Sequence, residues 1–252
     1  TGTDLYRDLP ASAAARHALT AATAIVTLQP EAIARIPRST RGKARSIVQS
    51  APQLRRARSE RKQGEMVRMC VIGHLRPEKD PLRAARAVAL LPKDCAVRVI
   101  HAGKALTPRY AATARAEMRR NRRYRWLGEL SRLAARRLLC ASDAMIISSV
   151  MEGGANIVSE AIACGVPILA SRIPGNTGIL GRRYPGLFAA RNTVALASLM
   201  QRAAVDPVFL AKLGRWIDRL RPLVAPSRER GAWIALIREA FGQRATARDR
   251  RS

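Results

Sequence analysis

The chain has few aromatic and few acidic residues, and both shortages narrow the kinds of protein it can be. Phe, Trp and Tyr together make up 4% of the 252 residues, and 18 acidic residues stand against 46 basic ones. The resulting net charge of +28 is typical of nucleic-acid-binding proteins. However, the excess is mostly arginine, spread from Arg7 to Arg251, and aromatic residues on which bases could stack are scarce. No zinc-finger, RNP or KH signature occurs, so we predict no specific nucleic-acid partner.

Long apolar runs and metal-ligand spacings are also absent from the sequence. No run approaches the roughly 18 apolar residues of a membrane helix, so we predict no membrane span. Four cysteines are scattered through the chain, and three of them lie in or beside apolar segments: Cys70, Cys95, Cys140 and Cys164. We interpret them as reduced core residues of a cytoplasmic protein. We predict no bound metal, and no G-x-G-x-x-G follows a predicted strand, which disfavours a dinucleotide oxidoreductase.

The middle of the chain alternates between apolar strands and helices. Strands are predicted at 68–73, 96–102, 124–127, 144–148 and 166–170. The helices between them are predicted to open at Asp80-Pro81, Thr107-Pro108, Ser131 and Asn156. This alternation is typical of βαβ units, so we predict an α/β protein with one complete parallel-sheet domain at 67–222.

The flanking segments differ from this domain. Residues 1–50 contain two short predicted strands and two helices, too few to bury a doubly wound sheet, and we interpret them as the partial end of an N-terminal α/β domain. The polar segment 51–66 is predicted to be a linker. Residues 223–252 are predicted to form a return helix, with an apolar face at its centre, and a basic tail.

The most informative segment begins at Glu152 and ends at Glu160. A predicted buried strand precedes it, and Gly165 gives the stop signal of the helix that follows. Asn156 is predicted to be the N-cap of that helix. Helical side chains lean toward the N-terminus, so Glu160 should point back at the loop that holds Glu152.

Small residues fill the loop between the two glutamates. Gly153, Gly154 and Ala155 would let a ligand approach the backbone closely. The free N–H groups at the helix start would form an anion site. The segment therefore predicts backbone donors for a phosphate and two carboxylates for hydroxyls. The alternative is that both glutamates are solvated or only serve the helix dipole.

These residues resemble the family 4 glycosyltransferases, which are retaining enzymes of the GT-B fold. The resemblance rests on the pair Glu152 and Glu160, separated by seven residues, and on the loop 73–79. Further strings resemble one subfamily, the selenosugar synthases of selenoneine biosynthesis. They lie at 1–9, 72–81, 124–130, 148–156 and 171–176.

The resemblance implies a role for each site residue. Glu152, Lys79 and Arg76 would be catalytic, with Lys79 and Arg76 facing the diphosphate and Glu152 facing the transferred sugar. The donor-binding residues would be Gly73, His74, Gly128, Gly153, Gly154, Ala155, Asn156 and Glu160. The acceptor side would include Thr3, Asp4 and Arg7. His74 stands where many family members have arginine, and a structural role for it is an equal alternative.

The resemblance also implies the substrates. The donor would be UDP-N-acetylglucosamine or UDP-glucose, the acceptor would be selenophosphate, and no cofactor would be needed. Three alternatives stay open: a hexosyltransferase with a hydroxyl acceptor, an inactive truncated nucleotide-binding fragment, and a basic binding protein without enzymatic activity. The sequence leaves the oligomeric state open.

Overall fold

The computed structural model describes residues 4–9, 11–53 and 65–249. Its strands are β1 (Ile25–Thr27), β2 (Ala44–Ser46), β3 (Val67–Ile72), β4 (Val97–Ala102), β5 (Tyr124–Trp126), β6 (Ala144–Ile147), β7 (Ile168–Ser171) and β8 (Leu187–Phe188). Its α-helices are α1 (Ala13–Ala21), α2 (Arg83–Ala89), α3 (Pro108–Arg120), α4 (Arg132–Cys140), α5 (Asn156–Cys164), α6 (Pro174–Leu180), α7 (Thr193–Val205), α8 (Pro207–Leu220) and α9 (Pro226–Asp249). Short helical turns occupy Asp4–Asp8, Pro30–Arg35, Arg38–Lys43, Pro77–Lys79 and Arg221–Val224.

Strands β3 to β8 form one parallel sheet in the order β5-β4-β3-β6-β7-β8. The chain builds outward from β3 through β4 to β5, then returns to the other side of β3 and builds through β6 to β8. The order therefore reverses between β3 and β6. Ligands of open α/β sheets bind outside the carboxyl ends of the strands at such a reversal. The predicted α/β fold with a parallel sheet is confirmed.

The central strands are apolar because the sheet is covered on both faces. Every residue of β6 and β7 is buried, and so are most residues of β3. Parallel strands buried on both sides show this continuous apolar pattern. Helices α2 and α7 pack against each other and against β4, whereas α4 packs against α5. The main apolar core of the chain lies in this sheet domain.

Several helix boundaries follow the predicted caps. The hydroxyl oxygen of Thr107 accepts a hydrogen bond from the Tyr110 N–H, and that of Ser131 accepts one from the Ala134 N–H. Gly165 ends α5 in the left-handed conformation, with φ of 69°. These caps confirm the predicted starts of α3 and α4 and the predicted end of α5.

Two predicted N-caps are wrong. Asn156 is the first residue of α5, and Ala155 is its N-cap. The side-chain amide of Asn156 instead donates a hydrogen bond to Glu160 within the helix. Asp80 does not cap α2, which begins at Arg83. Asp80 instead closes the turn Pro77–Lys79 with φ of 44°, and its carboxylate accepts a hydrogen bond from Arg83 Nε at 2.7 Å.

The N-terminal segment forms a small unit beside the sheet domain. Strands β1 and β2 pair in parallel, with Ile25 opposite Ala44, and these two residues are buried together with Ile36. The two short strands were predicted at 25–28 and 46–49, so the first begins where expected and the second begins two residues earlier. The Glu31 carboxylate joins this unit to the sheet domain, since it accepts hydrogen bonds from Arg182 Nε at 2.8 Å and from Thr177 Oγ1 at 3.1 Å.

The last helix crosses back toward the N-terminal unit. The Glu229 carboxylate accepts a hydrogen bond from the Ser50 N–H at 2.8 Å. On the predicted apolar face, Leu236 is buried, but Trp233 is 41% exposed and Ile237 is 50% exposed. Among the described side chains of this face, the prediction that it covers an apolar surface is met at Leu236; the side chain of Phe241, the fourth residue of the face, lies outside the described part of the chain. Most of the predicted linker, residues 54–64, lies outside the described residues, and the predicted domain boundaries stay predictions.

The cysteines are thiols in the described chain. Cys70, Cys95 and Cys164 are buried, and Cys140 is half-buried. The Sγ atoms of Cys140 and Cys164 lie 2.8 Å apart, where the ends of α4 and α5 meet. Burial raises the pKa of Cys164 to about 12. Such a thiol is a poor nucleophile, which agrees with the interpretation of core residues.

No single helix of the described chain has the length and hydropathy needed to cross a bilayer. The pair Thr193–Val205 and Pro207–Val224 meets both criteria only when taken together, and it bends by 102°. Both helices contribute buried side chains to the core of the sheet domain.

Candidate active site

The predicted site residues gather at the carboxyl ends of β3 and β6, where the strand order reverses. Gly73 follows β3 directly, and the turn Pro77–Lys79 comes a few residues later. Glu152 lies in the loop after β6, and Glu160 lies in α5. The site therefore occupies the crevice that the topology provides.

The centre of the site is an ion pair between Lys79 and Glu152. Glu152 Oε1 accepts hydrogen bonds from Lys79 Nζ, in a very short contact, and from Ser149 Oγ at 2.6 Å. Glu152 is 8% exposed, whereas a fifth of the Lys79 side chain is accessible. A partly desolvated pair of this kind needs both members, because either charge alone would be left without compensation. The sequence placed both residues in one site but did not predict their contact.

Hydrogen bonds tie the loops of this pair to each other. The Ser148 hydroxyl donates to the Asp80 carbonyl at 2.9 Å, and the Val150 N–H donates to the Glu78 carbonyl at 2.8 Å. The Ser171 hydroxyl donates to the Ser149 carbonyl at 2.5 Å. Because both loops are anchored through main-chain groups, the relative position of Lys79 and Glu152 is fixed.

The start of α5 supplies the second part of the site. The Val158 N–H turns back to the Ala155 carbonyl at 2.9 Å, whereas those of Asn156 and Ile157 have no acceptor one turn earlier in the helix, which makes these two available to an anion. Glu160 is 9% exposed, and its Oε1 accepts a hydrogen bond from Asn156 Nδ2 at 3.2 Å. Arg132, at the start of α4, lies 3.9 Å from the same oxygen. Glu160 thus keeps its carboxylate at the helix start, as its position in the sequence predicts.

Packing within the chain requires a glycine at position 154, and the predicted ligand contact of Gly154 stays a prediction. Its φ is +149°, and a Cβ at this position would collide with Leu28 in the loop after β1. The glycine therefore lets the N-terminal unit pack against the start of α5. Gly175 has a comparable role, because a Cβ there would overlap the main chain of Glu152. The interpretation of Gly154 as a residue that admits a ligand is not needed to explain it.

The loops after β3 and β5 present three further predicted site residues. His74 is exposed, and its Nδ1 accepts a hydrogen bond from the Lys104 N–H at 3.2 Å. Arg76 is half-buried, and its Nε has no hydrogen-bond partner among the described residues. Gly128 has φ of 74°, and its carbonyl accepts a hydrogen bond from the Gly103 N–H at 2.7 Å. This bond joins the loop that follows β5 to the loop that follows β4.

Of the three predicted acceptor-side residues, Arg7 can be placed at the site. One of its terminal nitrogens lies 3.5 Å from Glu78 Oε1, next to Lys79. Asp4 begins the helical turn Asp4–Asp8. Thr3 lies outside the described residues. The structure thus brings one acceptor-side cation to the loop that carries Lys79.

Sequence reasoning missed three supporting residues. Ser149 binds Glu152, and Gly175 packs beneath it. His101 is fully buried in β4 and holds the loop after β3. The available signal for His101 was its place in phase with the buried residues Val97 and Val99, which alternate with the exposed Arg98. The contacts of Ser149 and Gly175 carry no such local signal.

An apolar cavity lies beside the site, and the described residues contain no group arranged to bind a metal. A cavity of about 290 Å³ with mostly apolar walls lies beside Gly153, and it is lined chiefly by the N-terminal unit, including Leu5, Leu19, Ile25 and Leu28. Within the described residues, no group of three or more His, Cys, Asp and Glu side chains has the arrangement of a metal site.

The residues of this site lie in the part of the chain that matches a known protein family. The family described as glycosyl transferases group 1 matches residues 54–217, well over half of the chain. The chain belongs to this glycosyltransferase family. No curated protein sequence matches it significantly.

Three solved structures of similar fold are distant from this chain in sequence. Sucrose-phosphate synthase from Thermosynechococcus elongatus has a TM-score of 0.73 at 18% identity, over 90% of this chain and 61% of that one. Alr3699/HepE from Anabaena, with UDP and glucose, has a TM-score of 0.72 at 16% identity, over 96% and 70%. A mutant of TarM from S. aureus, in complex with UDP, has a TM-score of 0.71 at 16% identity, over 88% and 45%.

These similarities fix the architecture of the chain. It has the GT-B type of fold and spans 61% of the length of sucrose-phosphate synthase. The described chain is a partial GT-B structure, with a complete parallel sheet in the part that the family matches.

Proposed function

We propose that this chain binds a UDP-sugar and transfers its sugar with retention of anomeric configuration. The observation that carries the proposal is the grouping of Lys79, Glu152 and Glu160 with the start of α5 at the strand-order reversal. Family membership supports transfer of a sugar. Two similar structures, HepE and TarM, hold UDP, which supports uridine as the nucleoside.

The proposed chemistry assigns separate tasks to the cations and the carboxylates. Lys79 and the N–H groups at the start of α5 would bind the diphosphate and stabilise the charge that develops on it as it leaves. Lys79 is paired with Glu152. Donor binding would therefore exchange one anionic partner of the ammonium group for another, or add a second.

The two carboxylates would select the donor through its hydroxyls. Glu152 would accept from hydroxyls of the sugar, next to the breaking bond, and Glu160 would accept from the ribose at the helix start. Both side chains are largely buried and held by hydrogen bonds, so little ordering would remain to be done on binding.

We propose selenophosphate as the acceptor, with formation of a selenosugar. The five sequence strings that resemble selenosugar synthases support this assignment. A small, strongly anionic acceptor also suits a cationic acceptor side, and Arg7 lies beside the loop of Lys79. The selenium atom would attack the anomeric carbon and the diphosphate would leave with the bonding electrons, which gives a sugar joined through selenium to a phosphoryl group. Water would then cleave the Se–P bond, so that inorganic phosphate and the selenosugar are released.

A hydroxyl acceptor is the second candidate. The apolar cavity beside Gly153 opens next to the loop that contains Glu152, and it would suit the hydrocarbon part of an organic alcohol. This observation favours an ordinary hexosyltransferase over a selenophosphate-dependent enzyme.

Two measurements test the proposal. Calorimetry with UDP, UDP-glucose and UDP-N-acetylglucosamine tests the donor site, with ADP as the control nucleotide. Absence of any heat with the uridine nucleotides on monodisperse protein would refute the donor assignment. Turnover assays with selenophosphate and with a panel of alcohols then separate the acceptors: release of UDP with selenophosphate alone supports the first, and release only with alcohols supports the second.

A further inference from the structure

We propose that His101 is a positioning residue that holds the peptide between Gly73 and His74 in the orientation needed for donor binding. The inference rests on the proposed function of the site. It assigns a task to a buried side chain that does not face the cleft directly.

The two ring nitrogens of His101 have different partners. Nε2 lies 3.1 Å from the Gly73 carbonyl oxygen, and Nδ1 lies 2.9 Å from the Tyr124 hydroxyl oxygen. A carbonyl oxygen can only accept, so Nε2 carries the proton. In a neutral ring Nδ1 then accepts from the Tyr124 O–H. The Tyr124 O–H thus donates to His101, and His101 donates in turn to the Gly73 carbonyl.

The surroundings favour the neutral ring. His101 is fully buried, and Tyr124 is 2% exposed. Burial lowers the pKa of His101 to about 4, although the hydrogen bond to the Gly73 carbonyl opposes this shift. A single tautomer is therefore held by a partner on each side.

The Gly73 main chain is fixed on both of its polar groups. Its N–H donates to the Ala102 carbonyl at 2.9 Å, while its carbonyl accepts from His101. A Cβ at residue 103 would overlap the same carbonyl, so Gly103 allows the loop to lie flat against β4. In a trans peptide the C=O and the following N–H point in opposite directions. Because the carbonyl of Gly73 points at His101, the N–H of His74 points away from it.

This anchor lies next to the proposed reacting groups. His101, Gly73, His74, Lys79 and Ser149 border one cavity of about 20 Å³, which is room for about one water molecule. The next part of the loop is held independently, since the Leu75 N–H donates to the Lys104 carbonyl at 2.9 Å. Loss of the His101 bond should therefore tilt one peptide beside Lys79 without releasing the whole loop.

The test compares substitutions that keep or remove the bond. His101→Gln retains an N–H donor for Gly73 and an acceptor for Tyr124, whereas His101→Leu removes both. Val99→Ala is the matched control, because Val99 is fully buried on the same strand and its truncation destabilises the core without touching the loop. UDP affinity by calorimetry and the melting temperature are measured for every variant.

We expect His101→Leu to weaken UDP binding by about threefold to tenfold, the equivalent of one lost hydrogen bond. His101→Gln should stay within about twofold of the unmodified chain. Val99→Ala should lower the melting temperature and leave the UDP affinity unchanged. Equal affinities for His101→Leu and the unmodified chain would overturn the proposal, and so would an equal loss in Val99→Ala or in His101→Gln.

A second measurement does not depend on nucleotide or on the folding of the Leu variant. Two-dimensional ¹H–¹⁵N spectra of the side chain should show His101 protonated at Nε2 near neutral pH, and a ring protonated at Nδ1 would overturn the proposal. Failure of the unmodified chain to bind UDP would instead refute the proposed function itself, since that result involves no change at His101.

Discussion

Replacing Glu152 by Gln should lower the stability of the free protein more than that of its UDP complex, because Lys79 loses its anionic partner. The substitution keeps the shape of the side chain and an oxygen that can accept from Lys79 and Ser149. It removes the negative charge that balances the Lys79 ammonium group. We expect the free protein to lose stability and the UDP complex to lose less, because the diphosphate would replace the missing anion.

The size of the effect follows from the contacts of the pair. Hydrogen bonds to charged groups contribute about 1.5–3 kcal/mol, and neutral ones about 0.5–1.5 kcal/mol. Since a fifth of the Lys79 side chain is accessible and can stay hydrated, the cost should lie near the lower end, at about 1–2 kcal/mol. For a chain of this size that corresponds to a melting temperature lower by about 2–8 °C. UDP at saturation should restore a substantial part of this difference.

Thermal unfolding with and without UDP measures both quantities. Glu117→Gln is the matched control, because Glu117 pairs with Arg120 on α3 at 3.9 Å and lies outside the loops of the site. We expect a larger UDP-induced rise in melting temperature for Glu152→Gln than for the unmodified chain, and an unchanged rise for Glu117→Gln. An equal or smaller rise for Glu152→Gln would show that Lys79 does not contact the diphosphate. Sugar transfer should be lost in Glu152→Gln in either case.

Three further predictions concern other parts of the chain. Glu160→Ala should weaken UDP binding by about 1–3 kcal/mol in calorimetry, through the loss of two ribose hydrogen bonds, and full affinity would remove Glu160 from the donor site. Gly154→Ala should lower the unfolding free energy by about 1–3 kcal/mol, because its methyl group collides with Leu28. Gly231→Ala, where a methyl group meets open space, should not lower it, and equal melting curves for the two variants would contradict the packing argument. Acidification from pH 6.5 to about 4 should cost about 3 kcal/mol through His101. Burial lowers its folded-state pKa, so the unfolded chain takes up the proton first, and denaturant titrations of His101→Gln should show a shallower acid loss.

The architecture was predictable because its signals are local. Buried parallel strands such as Ala144–Ile147 are continuous apolar runs, and turn residues such as Gly165 mark helix ends. Thr107 and Ser131 cap helices as their position before a helical pattern predicts. Alternation of these elements is sufficient to predict the parallel sheet, and hence the edge at which a ligand binds.

The errors arose where a side chain had two possible partners. Asn156 and Asp80 are both good N-caps by residue type. Asn156 instead binds Glu160 within the same helix, and Asp80 binds Arg83 after a left-handed turn. Intrinsic preference cannot decide between such partners, because the outcome depends on where the chain approaches each helix.

The remaining unpredicted features come from contacts between residues distant in sequence. Gly154 meets Leu28, Gly175 meets Glu152, and His101 meets Gly73. Each contact brings together two segments whose local patterns are unrelated. Long-range packing of this kind becomes visible only when the topology is known.

The scarcity of acidic residues gives one more reason why the glutamates are informative. With 46 basic residues and 18 acidic ones, most cations of this chain have no carboxylate available to them. Among the few carboxylates, Glu31 and Glu229 join the N-terminal unit to the sheet domain and to the return helix. Glu152 and Glu160 are instead buried at the crevice. Burying a charged carboxylate costs free energy, and a carboxylate that only connects two parts of the chain need not be buried. The proposed donor site would use this burial, since a nucleotide sugar brings hydroxyls that need acceptor oxygens beside a bound diphosphate.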